Sequence, residues 1–356
     1  MKSKDLTFLK TLVETPSPTG CEEPVAQLIR DRLQDVADKI TTDTMGSVHA
    51  YLKGAGSGPK VMLASHMDEI GLMVTYISDE GFLSFAALGG VDAAILPGMR
   101  VDVHAKGQCL RGVVGRKPIH LIDPDERKNV TPLDKLVIDL GMNGDAVKEA
   151  VSVGDAITLA VGFEEFGDDM AVSRGFDDKA GVWVNVRVLE KLAKLGRASG
   201  DFISAITVQE EIGTRGAITS TYRVKPDVGL AFDVTHATDY PGIDKTKYGD
   251  IQCGKGPVIA RGPNINPVVF ARLCEAAEKA GIDYQLEAEP SVTGTDARSI
   301  QVTRSGIPTG LISVPLRYMH TSTEVINLKD LEQTVDLIVQ FVTDLDEDSS
   351  FIPGIS

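Results

Sequence analysis

The sequence predicts an α/β protein, a mainly parallel sheet flanked by helices, with a small β-barrel-like domain inserted into it. Three observations carry this reading. After about Gly167 apolar strand-like runs alternate with helical ones, the rhythm of a parallel sheet covered on both faces. Between about Gly71 and Gly162 the runs are short, β-rich and broken by Gly and Pro, which suggests a small barrel or sandwich. The 356 residues also exceed one comfortable hydrophobic core, which favours a large unit plus a smaller one. The expected division is 1–68 and 167–356 for the two parts of a catalytic domain, with 69–166 between them.

Along the chain, Leu6, Leu9 and Val13 recur at helical spacing, as do Val25, Leu28, Ile29 and Leu33 after a loop at Pro16 to Gly20. Two strands are expected around Val48–Lys53 and Lys60–Ser65, joined by GAGSGP. That Gly-rich segment lacks a following Lys-Ser/Thr and joins strand to strand, so it reads as a turn and not as a phosphate loop. In the β-rich block GLMVTYI, GFLSFAAL, MRVDVHA, CLRGVVG, KLVIDLG and DAITLAV read as strands, and only Gly144–Val151 offers a helix. Beyond it, Val184, Val188, Leu192 and Leu195 mark a helix, followed by the strands DFISAITV and DVGLAFDV. A helix near Val268–Ala280, the strand TGLISVP and a helix through Leu328, Leu331, Val335 and Ile338 complete the pattern.

Lys and Arg number 36 against 51 Asp and Glu, a net charge of −15, which argues against nucleic acid or an anionic membrane surface as partner. The 42% hydrophobic and 24% charged composition is that of an ordinary globular chain. Four scattered cysteines without a CxxC pair point to a reduced setting and not to a disulfide framework. The start MKSKDLTFLKTL shows no signal-peptide pattern, and no run is long and apolar enough for a span, so a cytoplasmic location is expected.

Five places stand out where apolar strands end. VMLASHMDEIG ends in His66 and Asp68, SRGFDDKAG puts Asp177 and Asp178 before a helix, and ITVQEEIG gives Glu210 and Glu211. GLAFDV leads to Asp233, and LISVPLRYMH ends in His320. In an open α/β sheet, ligands collect beyond the carboxyl ends of the strands. Two imidazoles with several carboxylates suit Zn, Co or Mn better than Ca or Mg, and five ligating groups exceed one tetrahedral site with an open position. They suit two metals about 3.5–4 Å apart sharing a carboxylate. Spaced on one face of an extended chain, Asp68 can accept the second ring N–H of His66. Each feature alone has an ordinary explanation: acidic pairs are common in so acidic a chain, Asp177 could cap a helix, and single histidines often sit in cores or on surfaces. His49, His104 and His120 are read that way, and His236 is left out of the ligand set. No G-x-S-x-G elbow or catalytic-cysteine motif occurs. A two-carboxylate glycosidase fits poorly, since neighbouring glutamates on a strand point to opposite faces and both histidines go unused.

In order, HMDEIG, DDKAG, EEIGTRGA, DVTHATD, GTDA and PLRYMH resemble the tetrahedral aminopeptidase and glutamyl aminopeptidase family of dinuclear metallopeptidases. GRKPIHLIDPDERK looks like that family's segment at the end of its inserted β domain, and the likeness covers nearly the whole chain. The resemblance implies a metallo-exopeptidase fold with two divalent metals per subunit. His66 and Asp233 would hold one, Glu211 and His320 the other, and Asp177 would bridge them before a cis peptide bond. Asp178 would be a turn partner and not a ligand, Glu210 the general base and Asp68 the carboxylate behind His66. The implied reaction is removal of N-terminal residues from short peptides by water acidified between two cations and deprotonated by Glu210. A related deacylase or carboxypeptidase, or a silent assembly module, are the alternatives. The likeness also implies a homo-oligomer, commonly a tetrahedral dodecamer of dimers joined through the inserted domain. Arg298 and Phe163–Phe166 are particular to this sequence, and the preferred N-terminal residue is left open.

Overall fold

The computed structural model describes residues 1–196 and 198–354. The large sheet runs, edge to edge, through Lys39–Thr42, Val48–Leu52, Phe202–Thr207, Val61–His66, Val228–His236, Thr309–Arg317, Glu324–Asn327, Met170–Ser173 and Glu164–Phe166. Along this path the four central strands, Phe202–Thr207 through Thr309–Arg317, are parallel to one another, and off it Val258–Arg261 pairs antiparallel with Thr309–Arg317 and parallel with Gln285–Ala288. The flanking strands pair antiparallel, so the expected mainly parallel sheet is a parallel core with antiparallel margins. The linkers within the margins Lys39–Leu52 and Glu164–Ser173 are too short for the crossover that a parallel connection needs.

Alternation along the central strands sends side chains to two separate cores. Val61 and Leu63 join the helices Ser3–Glu14, Glu23–Leu33, Phe176–Leu195, Pro267–Ala280 and Leu328–Thr343 on one face. Met62 and Ala64 meet Ala217 and Val224 of Arg215–Val224 and Ile300 of Ala297–Val302 on the other. Phe176–Leu195 is buried on most of its circumference, including Trp183, Asn185 and Val186, as expected of a helix enclosed between a sheet and other helices. Its start is pressed against the sheet: a Cβ on Gly181 would lie 2.3 Å from the Phe232 ring and 2.4 Å from both Asp178 carboxylate oxygens.

The strands either side of GAGSGP do not form a hairpin. Phe202–Thr207 is inserted between them, a long-range pairing that no local pattern announces. The glycines there serve a close crossing of two loops, since a Cβ on Gly54 would fall 2.4 Å from the Gly200 carbonyl carbon.

The β-rich block is a closed six-stranded barrel, in the order Gly71–Ile77, Leu83–Leu88, Val137–Asp139, Gln108–Gly115, Arg100–Ala105, Ala156–Leu159. Closure leaves no free edge, which resolves the choice between barrel and sandwich. Inward residues Leu72, Val74, Val101, Val103 and Ile157 form its own core. The helix Gly144–Ala150 packs beside it, its first turn capped by the Asn143 side chain, which accepts from the Ala146 N–H. No helix among the described residues is long and apolar enough to cross a membrane.

Candidate metal centre

Because the central strands are parallel, their carboxyl ends gather at one edge of the sheet, and the candidate residues gather with them. His66 closes Val61–His66, Asp233 lies near the end of Val228–His236, and Glu210 and Glu211 follow Phe202–Thr207. Asp177 stands in the non-helical start of Phe176–Leu195, and the Asp177–Asp178 peptide bond is cis, as the resemblance implied. His320 lies beyond Thr309–Arg317 with φ 60°, and Gln209 and Tyr318 also adopt positive φ. Such backbone in non-glycine residues clusters at functional sites, where surrounding structure holds it.

The Asp177 carboxylate lies between the two imidazoles. One oxygen is 3.2 Å from His66 Nε2 and the other 3.2 Å from His320 Nε2. Asp233 comes within 4.0 Å of the same His66 nitrogen, and Glu211 within 3.3 Å of the His320 nitrogen. Two compact ligand groups result: His66, Asp178 and Asp233, and Asp177, Glu211 and His320. Asp178 falls within ligating reach, which the sequence reading did not anticipate. Its oxygens are already engaged, accepting from the backbone N–H groups of His66 at 3.2 Å and Gly181 at 3.1 Å.

Asp68 is fully buried and does more than lie behind His66. Its carboxylate accepts from the backbone N–H groups of Glu210 at 3.0 Å and Glu211 at 3.2 Å, and from the Thr19 hydroxyl at 2.9 Å. The His66 Nδ1 hydrogen bond goes to the Asp68 carbonyl at 3.0 Å, with the carboxylate at 3.4 Å. The Asp68 carboxylate thus stands beside the His66 ring while also holding the Glu210–Glu211 turn. Glu210 and Glu211 lie in that turn and not on a strand, so both side chains reach the same cavity, contrary to the opposite-face expectation.

Three further groups were not picked out by sequence. Glu324 is buried, and its two oxygens accept from the backbone N–H of Asp177 at 3.2 Å and of His320 at 2.9 Å. Glu69, beside Asp68, is buried between Arg174 and Lys179, and these cations hold its carboxyl down to about 2 despite burial. Asp296, in the GTDA segment, accepts from the Thr207 hydroxyl at 2.7 Å. Spacing gave a signal only for Glu324, four residues after His320; the others are placed by contacts between distant segments. His49 and His104 are structural, bonded to Ser220 and Thr158 hydroxyls, and His120 is exposed.

Burial and crowding make the bare cluster unfavourable for so many anions. Desolvation, with Asp233 and other acids nearby, pushes Glu210 up to about 10, and Asp178 and Asp233 are raised well above the carboxylate range for the same reasons. Burial lowers an imidazole, but the hydrogen bonds it donates to Asp177 and Glu211 outweigh this and take His320 up to about 11. His66 is likewise raised against burial by Asp177 and Asp68. Asp177, bonded to both rings, is held below its usual value although burial acts the other way. A cluster that must otherwise hold protons to offset its own charge is chemically suited to divalent cations, and imidazole with carboxylate is a donor set for Zn, Co or Mn. The two groups open on a cavity of about 470 Å³ whose walls include Asp177, Glu210, Glu211, Asp233 and His320.

The sequence model of the M42 glutamyl aminopeptidases matches residues 46–337. A lysyl aminopeptidase of Pyrococcus furiosus is 34% identical over 96% of this chain and 97% of its own. Among solved structures, a TET aminopeptidase from the marine sediment archaeon Thaumarchaeota archaeon SCGC AB-539-E09 superposes with a TM-score of 0.92 at 32% identity, covering 96% of this chain and 97% of that one. The TET1 peptidase of Pyrococcus horikoshii, which can assemble into a tetrahedron or a large octahedral shell, gives 0.85 at 32% identity over 96% of this chain and 100% of that one. The barrel inserted in the helix-flanked sheet, the paired ligand groups and these near full-length likenesses agree: the chain belongs to the M42 glutamyl aminopeptidase family.

Proposed function

We propose that this chain is a two-metal aminopeptidase that removes N-terminal residues from short peptides. The observation that carries the reading is the Asp177 carboxylate, with one oxygen 3.2 Å from each imidazole, the arrangement of a bridging ligand. In it His66 and Asp233 would hold one cation, Glu211 and His320 the second, and Asp177 would serve both. When bound, two such cations supply an acidified water and polarise the scissile carbonyl. Glu210 is the general base: its carboxylate lies 3.9 Å from His66 Nε2 on the cavity wall, placed to take a proton and return it to the leaving amine. Asp68 and Asp178 act through other residues. Asp68 fixes the main chain of Glu210 and Glu211, and Asp178 fixes that of His66.

The same proposal takes 1–68 and 167–356 as the catalytic domain, and 69–166 as the inserted unit through which copies associate. A tetrahedral dodecamer in the cytoplasm is the form proposed, in line with the shells formed by the TET1 relative.

The test is hydrolysis of aminoacyl chromogenic substrates beside their N-acetylated counterparts, with metal stripped and restored. Turnover that needs metal and vanishes on N-acetylation is expected. Retention of activity on the blocked substrates would favour the deacylase or carboxypeptidase alternative.

A further inference from the structure

The cavity beside the metal groups has a second acidic wall. Glu287, on the strand Gln285–Ala288, and Glu289 just beyond it both line the cavity, and residues i and i+2 of an extended chain share a face. Among the described residues Glu287 has one side-chain partner, the Thr235 hydroxyl, which donates to it at 2.6 Å. Thr235 is two residues past Asp233 on the same strand, about 6.6 Å along it and on the same face. The hydroxyl thus tethers a carboxylate roughly a side chain's length from the centre where the substrate amine and scissile bond must sit. No ion pair or side-chain hydrogen bond engages the Glu289 carboxylate among the described residues. Thr293, Gly294 and Thr295 complete this side of the cavity with small groups, which leaves room for a long side chain.

The basic groups nearby do not neutralise this wall. His236, exposed at the strand end and on the cavity wall, favours the charged form of Glu289, while burial and Glu287 oppose it; it forms no ion pair with either glutamate among the described residues. Arg298 lines the cavity from Ala297–Val302, is exposed, and pairs with neither glutamate among the described residues. An anionic occupant would be repelled by this wall, and an uncharged one would leave the two carboxylates without a counter-charge.

We propose that Glu287 and Glu289 form a specificity pocket for a cationic N-terminal side chain, so that the preferred substrates begin with lysine or arginine. The proposal rests on the aminopeptidase reading and names the substrate class of that site. The ammonium or guanidinium group would lie between the two carboxylates, its stem running past Thr235, while the α-amine stays at the metal centre.

The experiment compares kcat/KM of the metal-loaded full chain on lysyl, arginyl, leucyl and glutamyl p-nitroanilides. It uses the wild type, Glu287→Gln, Glu289→Gln and Arg298→Ala, with metal content measured for each. Expected is a preference of at least about tenfold for the lysyl and arginyl substrates over the leucyl one, carried mainly by KM. Each glutamine variant should lower the lysyl-to-leucyl ratio with metal content unchanged. A wild-type preference for leucine, or for glutamate abolished by Arg298→Ala, would overturn the proposal. So would an equal loss on all four substrates in the glutamine variants, which would place the α-amine on these carboxylates instead. Absence of hydrolysis by the wild type on all four would overturn the aminopeptidase reading itself, and the pocket with it.

Discussion

Glu324 binds no candidate metal position directly, yet it holds the main chain of two residues that would. Its oxygens accept from the Asp177 and His320 N–H groups, which ties the segment of the Asp177 carboxylate to that of the imidazole it faces. In Glu324→Gln one of these acceptors becomes an N–H donor aimed at another donor. Competition titration with a chelating dye should then show metal affinity lower by about 10–100-fold, the usual cost of losing an outer partner. Unchanged affinity would mean that the backbone holds His320 without it. Its spacing from His320 was the one local signal; the hydrogen bond to Asp177, 147 residues away, left none in the sequence. His66, Asp177, Glu211, Asp233 and His320 were legible for a simpler reason. They lie at or near the ends of apolar strands, or at the helix start for Asp177, and the carboxyl ends of a parallel core gather at one edge.

At the scale of the element, the segment that delivers Asp177 is the most constrained. Phe176–Leu195 begins in non-helical backbone and then packs Gly181 against Phe232 and the Asp178 carboxylate. Gly181→Ala forces a methyl group into contacts of 2.3–2.4 Å, so thermal melts should show a loss of about 1–3 kcal/mol, and metal content should fall with it. A variant with wild-type melting and full metal would show that the helix start can shift without moving Asp178. Helix faces such as Leu9, Val13, Val25, Ile29 and Leu33 were readable from periodicity, and all five are buried. Insertion of Phe202–Thr207 between two chain-adjacent strands was not, because pairing partners across some 140 residues leave no local signature. The turn at Glu210 and Glu211 escaped for a related reason: it is set by Asp68, a residue far away in the chain.

For the whole molecule, the charge of −15 separates into a solvated surface and a buried acidic cluster. The folded metal-free chain binds protons more tightly than the unfolded one at Glu210, raised to about 10, and at His320, raised to about 11. Stability from these groups is complete below their unfolded values, near 4.5 and 6.5, and is lost as pH rises through the folded ones. Stripped protein should therefore melt progressively lower from pH 6 to pH 9, and divalent cations should both raise the melting temperature and flatten that slope. A slope that is the same with and without cations would locate the stabilising charge elsewhere. The barrel has a core of its own, although the Gly90 carbonyl of the inserted block accepts from His320 Nδ1 at 2.9 Å, and light scattering of the purified chain tests the dodecamer directly.

The central claim is that two cations are held by one set of residues while Glu210 moves the proton. Metal content per chain of Glu210→Gln, measured by mass spectrometry beside its turnover, tests it most directly. The account predicts two divalent ions retained per chain, with kcat lower by about 10²–10⁴-fold, the share usually carried by a general base. Loss of an ion with the substitution, or two ions with undiminished turnover, would contradict it.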